Sequence, residues 1–250
     1  IYEVLLGFRL QIPNASQSPN TSFEIAEYPS RCFNHPMRHT VLSTFLYVAI
    51  LGLGLGCVGV EASSIDVVYP TGAPQIASDF QSVVGLDGTN RGAPHQGIDI
   101  KGNKGQSILA AADGKVLEAT VEHCWGPTIA VDHGKGLDGR KIIALYGHVG
   151  EMLVDDGDQI KRGQVIARLG NNQDTHQCIY GVRHLHFQIG REYRDQYSKA
   201  DYWGWAYFLE DGDRGVNPHL YWAGGRGKIT CFEPNRTYKP GSLTYPVPCQ

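Results

Sequence analysis

Between Gly85 and Gly190 no stretch keeps its apolar residues at helical spacing; the chain runs in short β-branched segments cut by glycine turns. Ala111-Ala112-Asp113-Gly114-Lys115-Val116 sets an Asp-Gly pair between two apolar runs, a hairpin signal because these residues take tight-turn dihedrals at low cost. Thr128-Ile129-Ala130-Val131 and Lys141-Ile142-Ile143-Ala144-Leu145-Tyr146 read as strands. Asp155-Asp156-Gly157-Asp158 and Lys161-Arg162-Gly163-Gln164 are turns, and Val165-Ile166-Ala167-Arg168-Leu169 is a further strand ending at Gly170. Strands at intervals of about 8–12 residues predict an all-β fold, a small antiparallel sandwich or barrel. The 31 glycines among 250 residues fit many tight turns, and the lack of heptads excludes a helical bundle or coiled coil.

Charge narrows the partners. Twenty-two Lys and Arg stand against 25 Asp and Glu, so no basic excess exists to neutralise phosphates and a dedicated nucleic-acid binder is excluded. Residues 41–60, VLSTFLYVAILGLGLGCVGV, carry no charge; Met37-Arg38-His39 precede them and Val60-Glu61-Ala62 follows. A short basic start, an apolar core and a small-x-small exit predict a signal peptide over 37–62, and hence export to the periplasm or outside the cell. The same stretch is long enough to span a bilayer if it is not cleaved. Residues 1–36 read as an upstream extension, 63–79 as a short linker, 80–222 as the main domain with an aromatic-rich insert at about 191–214, and 223–250 as a Gly/Pro-rich tail. The aromatics from Tyr193 to Trp222 suit either a flap on the sheet or a wall of a substrate groove. A monomer is expected.

Beyond residue 62 four cysteines remain, Cys124, Cys178, Cys231 and Cys249, an even number in an exported chain. They predict two disulfides. The favoured pairing is Cys124–Cys178 with Cys231–Cys249, the second closing the tail. His123, Cys124, His176 and Cys178 also have the composition of a structural zinc site, but lack its usual C-x-x-C knuckle.

The chemistry concentrates in His95-Gln96-Gly97-Ile98-Asp99, in His184-Leu185-His186 and at His148. On a strand, residues i and i+2 share a face, so His184 and His186 can serve one site while Leu185 faces the core. His95 and Asp99 would lie about 13 Å apart on a flat strand, too far to share an ion, so the chain must bend between them, with Gly97 the residue that tolerates it. Two imidazoles and a carboxylate leave Zn²⁺ a fourth position for water, the catalytic arrangement. His123, His133, His176 and His219 have no usable spacing and read as solvated or structurally bonded.

The order H-x-x-x-D, Tyr146-Gly147-His148-Val149, then His184-Leu185-His186-Phe187-Gln188-Ile189 resembles the lysostaphin/LytM-type zinc metallopeptidases. Val154 to Ile166 is similar to that family's doubled-hairpin segment, and Gly215-Val216-Asn217-Pro218 is a further echo. The resemblance implies a small antiparallel β fold with one catalytic Zn²⁺ in a groove, hydrolysing peptides of bacterial peptidoglycan. It implies His95, Asp99 and His186 as zinc ligands, with His148 and His184 as the catalytic pair beside the metal. Three departures stand out: a long loop from Asn171 to Arg183, the aromatic insert, and Leu86-Asp87-Gly88-Thr89-Asn90 where some members place a Tyr. The alternative from another class is a catalytically inactive wall-binding regulator of other peptidoglycan hydrolases, since some relatives have lost ligands. A lipoyl-type carrier shares doubled hairpins and would need Lys161 at a tip, but export speaks against it.

Overall fold

Strict alternation builds the centre of the molecule. In the strand His184–Gly190, Leu185, Phe187 and Ile189 point to one face and are fully buried, while His184, His186 and Gln188 point to the other. A computed structural model describes residues 65–171, 175, 176, 179, 181–193 and 215–250. The readings of residues 1–36, of the apolar segment within 37–62, of Cys178 and of insert residues 194–214 lie outside the described residues.

Ten strands follow in chain order: β1 (Ile76–Ser78), β2 (Gly97–Lys101), β3 (Ser107–Leu109), β4 (Gly114–Glu122), β5 (Gly126–Lys135), β6 (Lys141–Gly147), β7 (Glu151–Met152), β8 (Gln159–Ile160), β9 (Val165–Arg168) and β10 (His184–Gly190). Seven form one sheet in the order β1-β2-β10-β6-β5-β4-β8, and three form a second, β3-β9-β7. Every strand pair is antiparallel. Among the described residues there is no α-helix, and the all-β antiparallel class expected from the turn spacing holds. No helix among them is long and apolar enough to cross a membrane.

The core lies between the two sheets, filled by Ile98, Ile100, Ile108, Ile129, Val131, Tyr146, Ile166, Leu185 and Phe187. Two segments read as peripheral belong to it. Residues 65–78, read as linker, supply β1 and pair Val68 with Lys228, and Val67, Tyr69, Ala73 and Ile76 pack on the core. The tail is equally integral. Leu243, Tyr245 and Val247 are buried, Thr244 N–H donates to Ala111 O at 2.8 Å, and Leu109 N–H donates to Pro246 O at 2.8 Å. Their period-two alternation carried the signal, masked by the prolines around it. Tyr221 and Trp222 are core residues too; the Trp222 ring lies 6.4 Å from Phe187 and 5.9 Å from Tyr245. Cys231 and Cys249 form a disulfide 18 residues apart, and closing a loop of that length stabilises the fold by about 3 kcal/mol.

His133 is structurally bonded. Its Nδ1–H donates to Asp113 O at 3.0 Å, which leaves Nε2 to accept from the Tyr146 hydroxyl at 2.9 Å. Burial disfavours the charged imidazolium and pushes its pKa from 6.5 down to about 4. The folded state therefore binds fewer protons than the unfolded one between these values. Stability is complete above pH 6.5 and falls as pH drops through that window, by roughly 1–2 kcal/mol for a half-buried group. Urea unfolding at several pH values should show the loss, and His133→Gln should remove that part of the slope.

Candidate metal centre

Strand register brings the first two groups together. In the β2/β10 ladder His186 stands directly opposite Asp99, and opposed residues share a face with their Cβ atoms about 4.5–5.5 Å apart. Across the other edge of β10, His186 faces Gly147 of β6. The space that a side chain on Gly147 would fill is taken by the Trp125 ring, whose Cε3 lies 3.0 Å from where that Cβ would be.

His95 arrives from outside the sheet. β2 begins at Gly97 and the bend falls at Gln96, so the sequence expectation of a bent H-x-x-x-D is met one residue early. Gly97 serves the close approach rather than the bend. A Cβ there would lie 2.6 Å from Phe187 O and 2.9 Å from His186 Nε2. Gly97→Ala must therefore push β10 away, at a cost of about 1–3 kcal/mol for overpacking. It should also displace His186, lowering metal content more than its unfolding midpoint alone would explain.

Three donor atoms converge. His186 Nδ1 lies 2.9 Å from Asp99 Oδ1, His95 Nε2 lies 3.2 Å from the same oxygen, and the two nitrogens are 3.1 Å apart. All three residues are buried, and together they make a group able to hold a metal ion. Their outer contacts fix which nitrogens face inward. The His95 Nδ1–H donates to Asp79 O at 3.0 Å, so Nε2 is the lone-pair nitrogen. The other ring nitrogen of His186 meets Gln188 Oε1 at 3.1 Å, which frees Nδ1 in the same way. Lone pairs packed this closely repel unless a proton or a cation sits among them. The donor set of two imidazoles and one carboxylate suits Zn²⁺. Asp99 Oδ2 accepts from Arg91 Nη2 at 2.9 Å.

His148 and His184 flank this triangle. Their ring centroids are 4.7 Å apart, and the His148 ring lies 5.7 Å from that of His186. His184 Nδ1–H donates to Val182 O at 2.6 Å, and its Nε2 lies 3.6 Å from Asp99 Oδ1. His148 Nδ1–H donates to Trp125 O at 2.8 Å. Each thus keeps Nε2 as a lone pair. His148 has φ +64°, a conformation that non-glycine residues adopt at a cost and that recurs where function dictates it. Burial lowers the pKa of His148, His184 and His186, with neighbouring imidazoles adding to the effect, so all three are neutral near pH 7. Burial alone would raise Asp99, but charge and hydrogen bonding from His184, His186 and His95, whenever one of them carries a proton among the donors, more than offset it and hold the carboxyl well below its usual range.

The five residues singled out in the sequence thus lie in one place. They line a groove of about 480 Å³ whose other walls come from residues 85–94 and from Trp125. Sequence reasoning missed Trp125, which orients His148 through its carbonyl, and Arg91, which grips Asp99. No spacing rule points to either. Trp125 is held by Glu122, whose carboxylate accepts from the backbone N–H of Cys124 and of Trp125 at 2.8 and 2.7 Å. Cys124 is itself disulfide-bonded, which removes it as a thiolate ligand and with it the four-residue structural zinc site weighed from the sequence.

Residues 93–199 match the model of Peptidase family M23. That segment is similar to M23 peptidase domains. Among curated relatives, the murein hydrolase activator NlpD of Salmonella dublin is 31% identical over 130 residues, 52% of this chain and 31% of that protein. The murein hydrolase activator EnvC of Escherichia coli K12 is 33% identical over 97 residues, 39% of this chain and 21% of its own length. The chain therefore spans about a third or less of these relatives. Among solved structures, the lysostaphin catalytic domain of Staphylococcus simulans is 25% identical, covering 50% of this chain and 82% of that one at a TM-score of 0.35.

Proposed function

We propose that this M23-like domain is an exported zinc metalloendopeptidase that hydrolyses stem peptides or peptide cross-links of bacterial peptidoglycan. The convergence of three inward lone pairs on one point, at the floor of an open groove, carries the reading. His95 Nε2, Asp99 Oδ1 and His186 Nδ1 are the atoms that would hold the ion. When bound, zinc supplies Lewis-acid polarisation of the scissile carbonyl and brings a water to a pKa of about 7. The chain's own groups do the rest. His148 and His184 present neutral Nε2 atoms beside the ligands: one accepts the attacking water's proton, and the protonated imidazole then donates to the departing amine. Its partner can donate to the oxyanion as charge develops there. The carbonyls of Trp125 and Val182 hold both rings in the required tautomer. Arg91 holds Asp99 Oδ2, which leaves Oδ1 turned towards the histidines.

The family supports a peptide substrate, and the relatives' names support peptidoglycan. The charge-free segment 41–60 and the Cys231–Cys249 disulfide support export to the periplasm or beyond the cell. In this reading residues 37–62 are the signal peptide, the peptidase extends beyond 80–222 to include the core-packed segments 65–78 and 223–250, and Cys178 is the partner of Cys124.

The relatives' names favour a second reading, an activator of other wall hydrolases that cuts nothing itself. Metal analysis of the purified protein, followed by incubation with purified peptidoglycan, separates the two. The first reading expects one zinc per chain and new peptide termini, abolished by a chelator and restored by zinc. A protein free of zinc that releases nothing alone, yet accelerates an added hydrolase, would establish the second.

A further inference from the structure

Resting on the metal reading above, we propose that Asp79 and His219 are positioning residues for the ligand His95, so that the C-terminal segment beyond the family-matched residues is a working part of the metal centre.

The connection runs through one short chain of hydrogen bonds. The Trp222 indole N–H can only donate, and it reaches His219 Nδ1 at 2.9 Å. His219 Nδ1 is therefore the lone-pair nitrogen, and Nε2 carries the proton. Nε2–H donates to Asp79 Oδ1 at 2.8 Å, and the same oxygen accepts from Phe80 N–H at 2.6 Å. The backbone carbonyl of Asp79 in turn accepts from His95 Nδ1–H. That last bond leaves His95 Nε2 as the nitrogen beside Asp99 and His186.

Each link is fixed from behind. His219 is 2% exposed and sits in the 3-10 turn Pro218–Leu220; its N–H is capped by Asn217 Oδ1, and its carbonyl accepts from Gly227 N–H at 2.8 Å. Trp222 is wholly buried. Around Asp79 the backbone is tied to the His95 strand-lead by Gln81 N–H to His95 O at 2.7 Å and by His95 N–H to Ser82 O at 3.0 Å. A buried, protonated Nε2 aimed at a half-exposed carboxylate is not needed to fill the core. A phenylalanine would fill that space without needing partners for two ring nitrogens. What this arrangement adds is a fixed position for the Asp79 peptide, and through it a fixed ring orientation for His95. A metal-bound imidazole whose far N–H is held by such a partner keeps the right tautomer and orientation, and disturbing the partner typically costs metal affinity about 10–100-fold.

The test uses the whole protein stripped of metal, titrated with zinc against a chromophoric chelator, with thermal unfolding of the metal-free form measured alongside. Asp79→Leu and His219→Leu should each raise the zinc dissociation constant by about 10–100-fold. Asp79→Asn should bind close to the unsubstituted protein, because its amide oxygen still accepts from His219. The double change Cys231→Ser with Cys249→Ser removes the tail's staple without touching the chain of bonds, so it should lower stability and leave zinc affinity unchanged. Asp79 is half-exposed, so its variants remain informative even if His219→Leu fails to fold. Zinc binding by Asp79→Leu as tight as that of the parent would overturn the proposal. So would an equal loss of affinity in the disulfide variant. A parent that binds no zinc would instead overturn the metal reading on which the proposal stands.

Discussion

A His186→Ala protein is expected to emerge from purification without zinc and without peptidase activity. The residue supplies one of three converging donors, and losing one of three should cost more affinity than the roughly 10–100-fold typical of outer contacts. The loss should be specific rather than a collapse of the fold. His186 projects from β10 into the groove, while its neighbours Leu185 and Phe187 carry the core contacts on the other face. Asp99 keeps Arg91 Nη2 at 2.9 Å, so its buried charge is not left unpaired. The metal-free variant should accordingly unfold close to where the metal-free parent does. Metal analysis, activity on purified peptidoglycan and thermal unfolding of both metal-free forms check the three parts. Stoichiometric zinc together with activity in the variant would refute the ligand assignment.

Loss of either flanking imidazole should act differently: turnover falls while zinc stays. A positioned acid or base typically contributes about 10²–10⁴-fold, so His184→Ala and the His148 variant should each lose turnover on that scale with zinc still near one per chain. His148 calls for a considered substitution. Its φ of +64° suits asparagine better than alanine, so His148→Asn removes the imidazole with the least backbone strain. Zinc should dissociate somewhat faster from His184→Ala than from His148→Asn, because His184 Nε2 lies 3.6 Å from the ligand oxygen of Asp99. If either change empties the site of metal, that histidine is a ligand and the division of roles must be redrawn.

The strand pattern was legible because it depends on local chemistry. Asp113-Gly114 turns where it does whatever surrounds it, and Leu185 between two histidines can face the core only if they face away. The grouping of His95, Asp99, His148, His184 and His186 could be read from spacing and family resemblance, since register follows from alternation once one face is buried. Other features were not legible. The tail looked like loop, yet Leu243, Tyr245 and Val247 enter the core, because Pro246 and Pro248 hide their alternation. Gly97 was expected to bend the chain, whereas the bend lies at Gln96 and Gly97 makes room for β10.

What the sequence by itself determined is the set of groups and the faces they occupy: all-β antiparallel architecture, paired histidines on one side of a strand, and a carboxylate within reach. Both follow from turn chemistry and from the two-residue period of a strand. Tertiary structure alone decided which nitrogen of each imidazole faces the centre. That choice rests on the carbonyls of Asp79, Val182 and Trp125 and on the side chain of Gln188, some of them far away in sequence. A ring offers a lone pair on one side only when its other nitrogen has an acceptor for its proton, and only the folded backbone puts those acceptors in place.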